Sequence, residues 1–165
     1  MVSEEITLQT LKELLDYDSE TGVFTWKSGV KKHLLNKQAG CHRKKDDCVV
    51  IGLKGKSYLA HHLAWLFVYG DWPKHEIDHI NQNRSDNKIA NLRDVDHRTN
   101  CQNYRTATKN NKNSKLLGAA YRNGRYYSRI RVGNKRITIG SFATAEKAHE
   151  AYIVAKRQHH PGCTI

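Results

Sequence analysis

Four side chains near the middle of the chain have types and spacing suited to phosphate chemistry. Asp78 and His79 stand side by side at the end of a short apolar run, and Asn91 and Asn100 follow. Asp78 offers a hard oxygen ligand. His79 is of the one side-chain type whose unperturbed pKa lies near neutrality, and an asparagine can ligate a metal or hold an imidazole without adding charge. One carboxylate, one base and two amides suit a single divalent ion acting on a phosphate. Taken singly these residues argue for little: His79 would be a strand-end histidine bonded to a loop, Asp78 a turn-capping carboxylate, Asn91 a turn residue before a strand and Asn100 a helix-surface amide. The spacing of the set is what points to chemistry.

The surrounding sequence indicates how these residues are positioned. Ile77 to Ile80 supplies a strand, Asn81 to Ala90 is polar and turn-rich, Leu92 to Val95 returns as a second strand, and Asp96 can cap a helix through Asn103 that carries Asn100. A hairpin followed by a helix is the minimum that brings positions 78, 79, 91 and 100 together, and alone it is too short to bury a core. The residues before it are therefore expected to brace it. Thr7 can cap a helix in which Leu8, Leu11, Leu14 and Leu15 recur at helical spacing, ending before the turn Asp18-Ser19-Glu20-Thr21-Gly22. Val23 to Trp26 reads as a strand, whereas the basic stretch from Lys27 to Asp47 gives no clear element. Cys48 to Leu53 and Lys56 to Ala60 form a hairpin about Lys54-Gly55, and His61 to Tyr69 is a buried helix stopped by Gly70. His61, His62, His75 and His97 fit no part of the spaced set, so packing or surface exposure accounts for them.

The pattern Asp78-His79-Ile80-Asn81, then Ser85-Asp86-Asn87-Lys88-Ile89-Ala90-Asn91-Leu92-Arg93, then Asn100-Cys101-Gln102-Asn103 resembles the phage and intron HNH homing endonucleases, which have the ββα-metal nuclease fold, in the variant with asparagine at the third motif position. The resemblance implies a phosphodiester hydrolase dependent on Mg²⁺ or Mn²⁺, one ion per site. In it His79 is the general base, Asp78 and Asn100 are metal ligands, and Asn91 holds the site loop or the histidine ring. It also implies homing biology in a phage-infected bacterial host. Arg93 could touch phosphate or form a surface salt bridge.

The charge supports an acidic partner. The 165 residues carry a formal +12, and residues 101–165 hold 13 Lys and Arg against 2 acids, whereas residues 1–100 hold 15 against 14. The excess belongs to the C-terminal third, and duplex DNA is its simplest partner. Cys41, Cys48, Cys101 and Cys163 include no C-x-x-C pair, and Met1-Val2-Ser3-Glu4-Glu5 lacks the basic and apolar regions of a leader. A cytoplasmic protein with reduced thiols is expected, and Cys41, His42 and Cys48 lack the spacing of a structural zinc site. No apolar run approaches the roughly 20 residues that a membrane-spanning helix needs.

Tyr104 to Leu117 is nearly devoid of apolar residues and reads as a basic linker in which Arg105, Lys109, Lys112 and Lys115 follow a phosphate backbone. Beyond it, Asn123-Gly124 and Gly133-Asn134 separate three alternating runs, and a helix runs from Thr144 to about His159. On the middle run Arg125, Tyr127, Arg129 and Arg131 share one face, while Tyr126, Ser128, Ile130 and Val132 share the other, which the helix covers with Ala148, Ala151, Tyr152 and Ala155. Gly140 to Ala148 with Ala151-Tyr152 is similar to the plant ethylene-response-factor DNA-binding domain, in which a three-stranded sheet enters the major groove; Tyr126 or Tyr127 stands here where plant members carry a tryptophan. The similarity implies DNA contacts from Arg122, Arg125, Tyr127, Arg129, Arg131 and Arg136.

The expected fold class is α+β: a ββα-metal HNH nuclease module over residues 1–103, a basic linker over 104–117, and a small three-stranded antiparallel sheet with one packed helix over 118–165. No dimer seam is visible, so a monomer is favoured. Two alternatives stay open: a non-catalytic DNA-binding regulator, and a zinc-stabilised nucleic-acid-binding module without hydrolysis.

Overall fold

The computed structural model describes residues 6–107, 111 and 114–165. It is of the mixed α+β class, with small antiparallel sheets and short helices. Contacts divide it into two units, one ending at Asp96 and the other beginning at His97.

The first unit opens with α1 (Leu8–Leu14), whose cap residue Thr7 accepts a hydrogen bond from the Thr10 amide. The leucine spacing predicts that the helix includes Leu15, but the chain becomes extended there. Leu15–Asp18 forms β1, paired antiparallel with β2 (Val23–Trp26) in a register that sets Leu15 against Trp26. The turn that closes this pair explains the change. The Asp18 carboxylate accepts from the Glu20 and Thr21 amides, and Gly22 sits at φ 73°, so four residues on each side are drawn into a ladder. The basic stretch that showed no pattern holds a single 3₁₀ turn, Lys32–Leu34, and the strand β3 (Cys41–Arg43). All three residues of β3 are exposed, so it carries no apolar signature.

Strand β3 lies at the edge of a sheet with β4 (Cys48–Leu53) and β5 (Lys56–Leu59). Lys54 and Gly55 both have positive φ, the backbone a two-residue hairpin requires. Helix α2 (Ala60–Tyr69) follows and ends at Gly70, whose left-handed backbone at φ 86° lets its amide bond the Leu66 carbonyl. Leu63, Ala64 and Leu66 of α2 join Leu11, Leu15, Phe24, Ile51 and Leu53 in one buried core. Emptying such a site, as in Leu63→Ala, costs about 2–5 kcal/mol.

That core supports a second hairpin, β6 (Glu76–His79) with β7 (Leu92–Val95), through Ile77 and Leu92. Its register sets Asp78 against Arg93 and His79 against Leu92. The Asp94 carboxylate accepts from the Lys74 and His75 amides at 2.8 and 2.9 Å and fixes the entry into β6.

The second unit begins with α3 (His97–Gln102) and continues through β8 (Ala119–Arg122), β9 (Arg125–Val132), β10 (Lys135–Phe142) and α4 (Ala145–His159). The sheet is antiparallel with β9 central, and β10 bulges between Thr138 and Gly140. Ser128 and Ile130 of β9 are buried on the face that α4 covers, where Ala145 and Ala148 are also buried. Thr144 caps α4 by accepting from the Lys147 amide. Within the stretch expected as a linker, Arg105 donates to the Thr164 hydroxyl at 2.9 Å, and the Asn111 side-chain amide donates to the carbonyls of Leu116 and Ala119. Lys156 of α4 is buried and donates to the Tyr104 carbonyl. No helix among the described residues is long and apolar enough to cross a membrane.

Candidate active site

Strand β6 ends in two buried ionisable side chains, Asp78 and His79, exposed by 6% and 5%. A buried carboxylate needs a cationic or hydrogen-bonding partner, because its desolvation costs several kcal/mol if nothing offsets it. Register supplies one. Arg93, opposite Asp78 on β7, directs Nη2 and Nε at the same oxygen, Oδ2, at 2.7 and 2.9 Å.

His79 is held by a residue that the spaced motif does not include. Its Nε2 lies 3.2 Å from Oδ1 of Asn87, which is itself 2% exposed. The Asn87 amide nitrogen faces the Ser85 carbonyl at 3.4 Å, which orients the amide oxygen toward the ring. An amide oxygen only accepts, so Nε2 carries the hydrogen and Nδ1 is the basic nitrogen. Burial pushes the His79 pKa down, against smaller upward pulls from the Asn87 hydrogen bond and the Asp78 charge. The imidazole is therefore uncharged near neutral pH, the form a general base requires.

Asn91 bonds the loop and not the ring. Its Oδ1 accepts from the Asn81 amide at 2.9 Å, and its Nδ2 donates to the Asp86 carbonyl at 2.8 Å. The loop is further tied by Asn81 to Asp86, by the Asn83 amide to Asn81 Oδ1, and by the Ser85 amide to Asn83 Oδ1. Ser85 Oγ reaches the Asp47 carbonyl at 2.7 Å, and Tyr17 of β1 donates its hydroxyl to the Asn87 carbonyl at 2.7 Å. A stretch that reads as turn-rich and polar is thus pinned at both ends and from beneath, because its Asn, Asp and Ser side chains bond backbone two to ten residues away within the loop.

Two further histidines reach this place from α2. The His61 ring meets the His79 ring at 4.9 Å between centroids and 89° between planes, and meets His62 at 4.6 Å in the same perpendicular manner. Burial lowers the His61 pKa to about 3, with the neighbouring histidines adding to the effect, and burial lowers that of His62 as well. Arg84 adds positive charge that bears on both His61 and His79. Neither Asn87 nor His61 stands out in the sequence, since each gains its meaning from a contact the fold creates. Asn100 lies half-buried on α3, in the second unit.

Among the described residues no group of three or more His, Cys, Asp and Glu side chains could hold a metal ion. A hard divalent ion of the Mg²⁺ class makes a smaller demand, one or two protein oxygens with water and substrate supplying the rest. The buried Asp78 carboxylate is of the type that would supply one such oxygen, and its Oδ2 is shared with Arg93.

Six of the residues expected to meet DNA, Arg122, Arg125, Tyr127, Arg129, Arg131 and Arg136, lie on one face of the β8–β10 sheet. Arg125, Arg129 and Arg131 are exposed while the intervening Ser128 and Ile130 are buried, and Tyr127 is half-buried with the Arg129 guanidinium 6.0 Å from its ring centre. Arg122 stands directly across from Arg125, and Arg136 across from Arg131. Like charges placed opposite one another destabilise a sheet, and an anion lying over them removes the penalty. Arg105 is half-buried and bonded to Thr164, Lys115 is exposed, and Lys109 and Lys112 lie outside the described residues.

Comparison with family models matches residues 58–102 to the HNH endonuclease family. No curated protein and no solved structure matches the chain. The matched segment runs from β5 to the end of α3 and contains Asp78, His79, Asn91 and Asn100. Over those residues the chain is similar to HNH endonucleases, and that similarity supports a nuclease acting on nucleic acid.

Proposed function

We propose that the chain is a homing-type endonuclease that hydrolyses a phosphodiester bond in double-stranded DNA with one Mg²⁺ or Mn²⁺ per site. The observation that carries this reading is the buried His79, held at Nε2 by Asn87 beside the buried Asp78 carboxylate. His79 takes a proton at Nδ1 from a water, the water oxygen bonds to phosphorus, and the bond from phosphorus to the leaving sugar oxygen breaks. Asp78 holds the ion, with Asn100 as the second protein ligand that the family resemblance implies. When bound, the ion stabilises charge on the phosphate and the leaving oxygen. Arg93 and Arg84 supply positive charge for the phosphate, and Asn91 keeps the loop in place. The arginine face of the C-terminal sheet grips the duplex, in keeping with its similarity to the ethylene-response-factor domain. Homing biology, a bacterial host cytoplasm and a monomer complete the proposal.

Supercoiled plasmid incubated with Mg²⁺, Mn²⁺ or chelator tests it. Nicked or linear product that requires the metal, and is lost in Asp78→Ala and His79→Ala while DNA binding persists, is the expected outcome. DNA binding without metal-dependent cleavage by the wild-type chain would instead identify a non-catalytic regulator.

A further inference from the structure

Within the second unit, α3, the stretch after it and the end of α4 border a cavity of about 250 Å³ beside the β9–β10 turn, lined in part by Arg98, Tyr104, Arg131, Tyr152, Lys156 and His160. Four of these six carry or can take positive charge, and no Asp or Glu among the described residues lines it. Lys156 is the group that calls for explanation. It is 1% exposed, and the Tyr104 carbonyl takes one of its three N–H donors. Burial is the chief influence on its pKa and lowers it, with Cys163 opposing and Arg105 adding to the fall. No carboxylate among the described residues is paired with it. A buried ammonium costs several kcal/mol unless an opposite charge offsets it. The two acidic side chains of the unit, Glu146 and Glu150, lie ten and six residues earlier on α4, roughly 15 and 9 Å back along its axis. The carbonyl end of α4 favours a cation but amounts to about half a charge. The balancing negative charge therefore has to come from outside the chain.

The groups around Lys156 suit an oxyanion. Arg98 Nη2 lies 3.5 Å from where a Cβ on Gly133 would stand, and Gly133 also lines the cavity. His160 donates from Nε2 to the Arg131 carbonyl at 2.8 Å, and its Nδ1 is buried without a hydrogen-bond partner. Protonated, that ring would present a further donor at Nδ1. The volume is just below the roughly 300–1,000 Å³ of drug-sized sites and admits a phosphate with its sugar attached. Arg131 belongs both to the cavity and to the arginine face of the sheet, so the cavity adjoins the surface proposed to grip DNA. We propose that this cavity is a binding site for the phosphoryl group of a nucleotide, with Lys156 as its central ligand and Arg98 and His160 at its edge. That the nucleotide belongs to a DNA strand rests on the DNA-binding role proposed above. The site itself does not, and a free nucleotide offers the same group.

Two measurements on the full chain separate these sources. Thermal unfolding followed by circular dichroism, with inorganic phosphate or adenosine 5′-monophosphate at about 10 mM against chloride of equal ionic strength, reads the free ligand. The wild-type midpoint is expected to rise by a few degrees, and Lys156→Met, which keeps the side-chain length without the charge, is expected to lose the rise. Filter binding of duplex DNA across a salt series reads the strand-borne phosphate, and Lys156→Met is expected to lower the slope of log affinity against log salt by about one unit. Arg98 is exposed, and Arg98→Gln is expected to weaken the responses in the same direction, which keeps the test decisive should Lys156→Met fold poorly. A midpoint response lost in the variants supports a site for the free nucleotide, and a lowered salt slope supports one for a DNA phosphate. A midpoint that phosphate and nucleotide leave unmoved, or move equally in wild type and variants, together with an unchanged salt slope in both variants, would overturn the proposal. Plasmid cleavage by the wild type is scored apart from both readouts: its absence beside an intact phosphate response sinks the nuclease reading and leaves the site, whereas cleavage without either response sinks the site alone.

Discussion

Asn87 illustrates how a single side chain can fix the chemistry of its neighbour. Its oxygen takes the Nε2 hydrogen of His79, so the lone pair that can accept a proton is assigned to Nδ1. Replacing it with alanine removes that acceptor from Nε2. Asn87→Ala is expected to slow cleavage about 10- to 100-fold, equivalent to about 1–3 kcal/mol, while Asn87→Asp, which still accepts, retains most of the activity. Single-turnover nicking under saturating protein reads both. That Asp78, His79 and Asn91 gather on one hairpin was legible in the sequence, because the short apolar runs around them mark its two strands. Asn87 sits among Ser, Asp and Lys in a stretch where any polar residue would look the same, and the position facing the imidazole is decided by three-dimensional placement.

The helix α2 links the core to the site, and its first turn makes stability depend on pH. The folded-state pKa of His61 is lowered to about 3 from the ordinary 6.5, chiefly by burial. The unfolded chain therefore binds a proton that the folded chain refuses anywhere between those values. The stability contributed by keeping His61 neutral is fully present above about pH 6.5 and is lost as pH falls toward 3, amounting to as much as about 4 kcal/mol. Thermal unfolding followed by circular dichroism from about pH 8 to about pH 4 is expected to show falling midpoints, and a shallower fall in His61→Phe. At this scale Gly70, Lys54-Gly55 and Asn123-Gly124 announced a helix end and two hairpins, since each supplies a backbone that few residues adopt. The conversion of Leu15 from helix to strand was not announced, because a leucine at helical spacing also suits a buried strand end. Strand β3 was silent because all three of its residues face solvent and only its backbone is committed.

Over the whole molecule the charge is uneven, and the excess falls where a sheet lines up arginine against arginine. If that face lies on phosphates, each arginine removed from it takes one contact away. Arg129→Ala and Arg131→Ala are each expected to lower the slope of log affinity against log salt by about one unit, with little change in the metal dependence of cleavage. Filter binding across a salt series measures this, and an unchanged slope in both variants would argue that the face points to solvent. A different dependence runs through the other unit. The Tyr17 hydroxyl reaches the Asn87 carbonyl, and a Cβ on Gly22 would lie 2.4 Å from the Lys88 amide nitrogen, so the β1–β2 turn presses directly on the loop that orients His79. A miniature cut from residues 58–102 and transplanted into another host protein would arrive without that foundation. Shrinking this chain into a portable cassette would mean carrying the upstream hairpin along, however little its own sequence advertises the need.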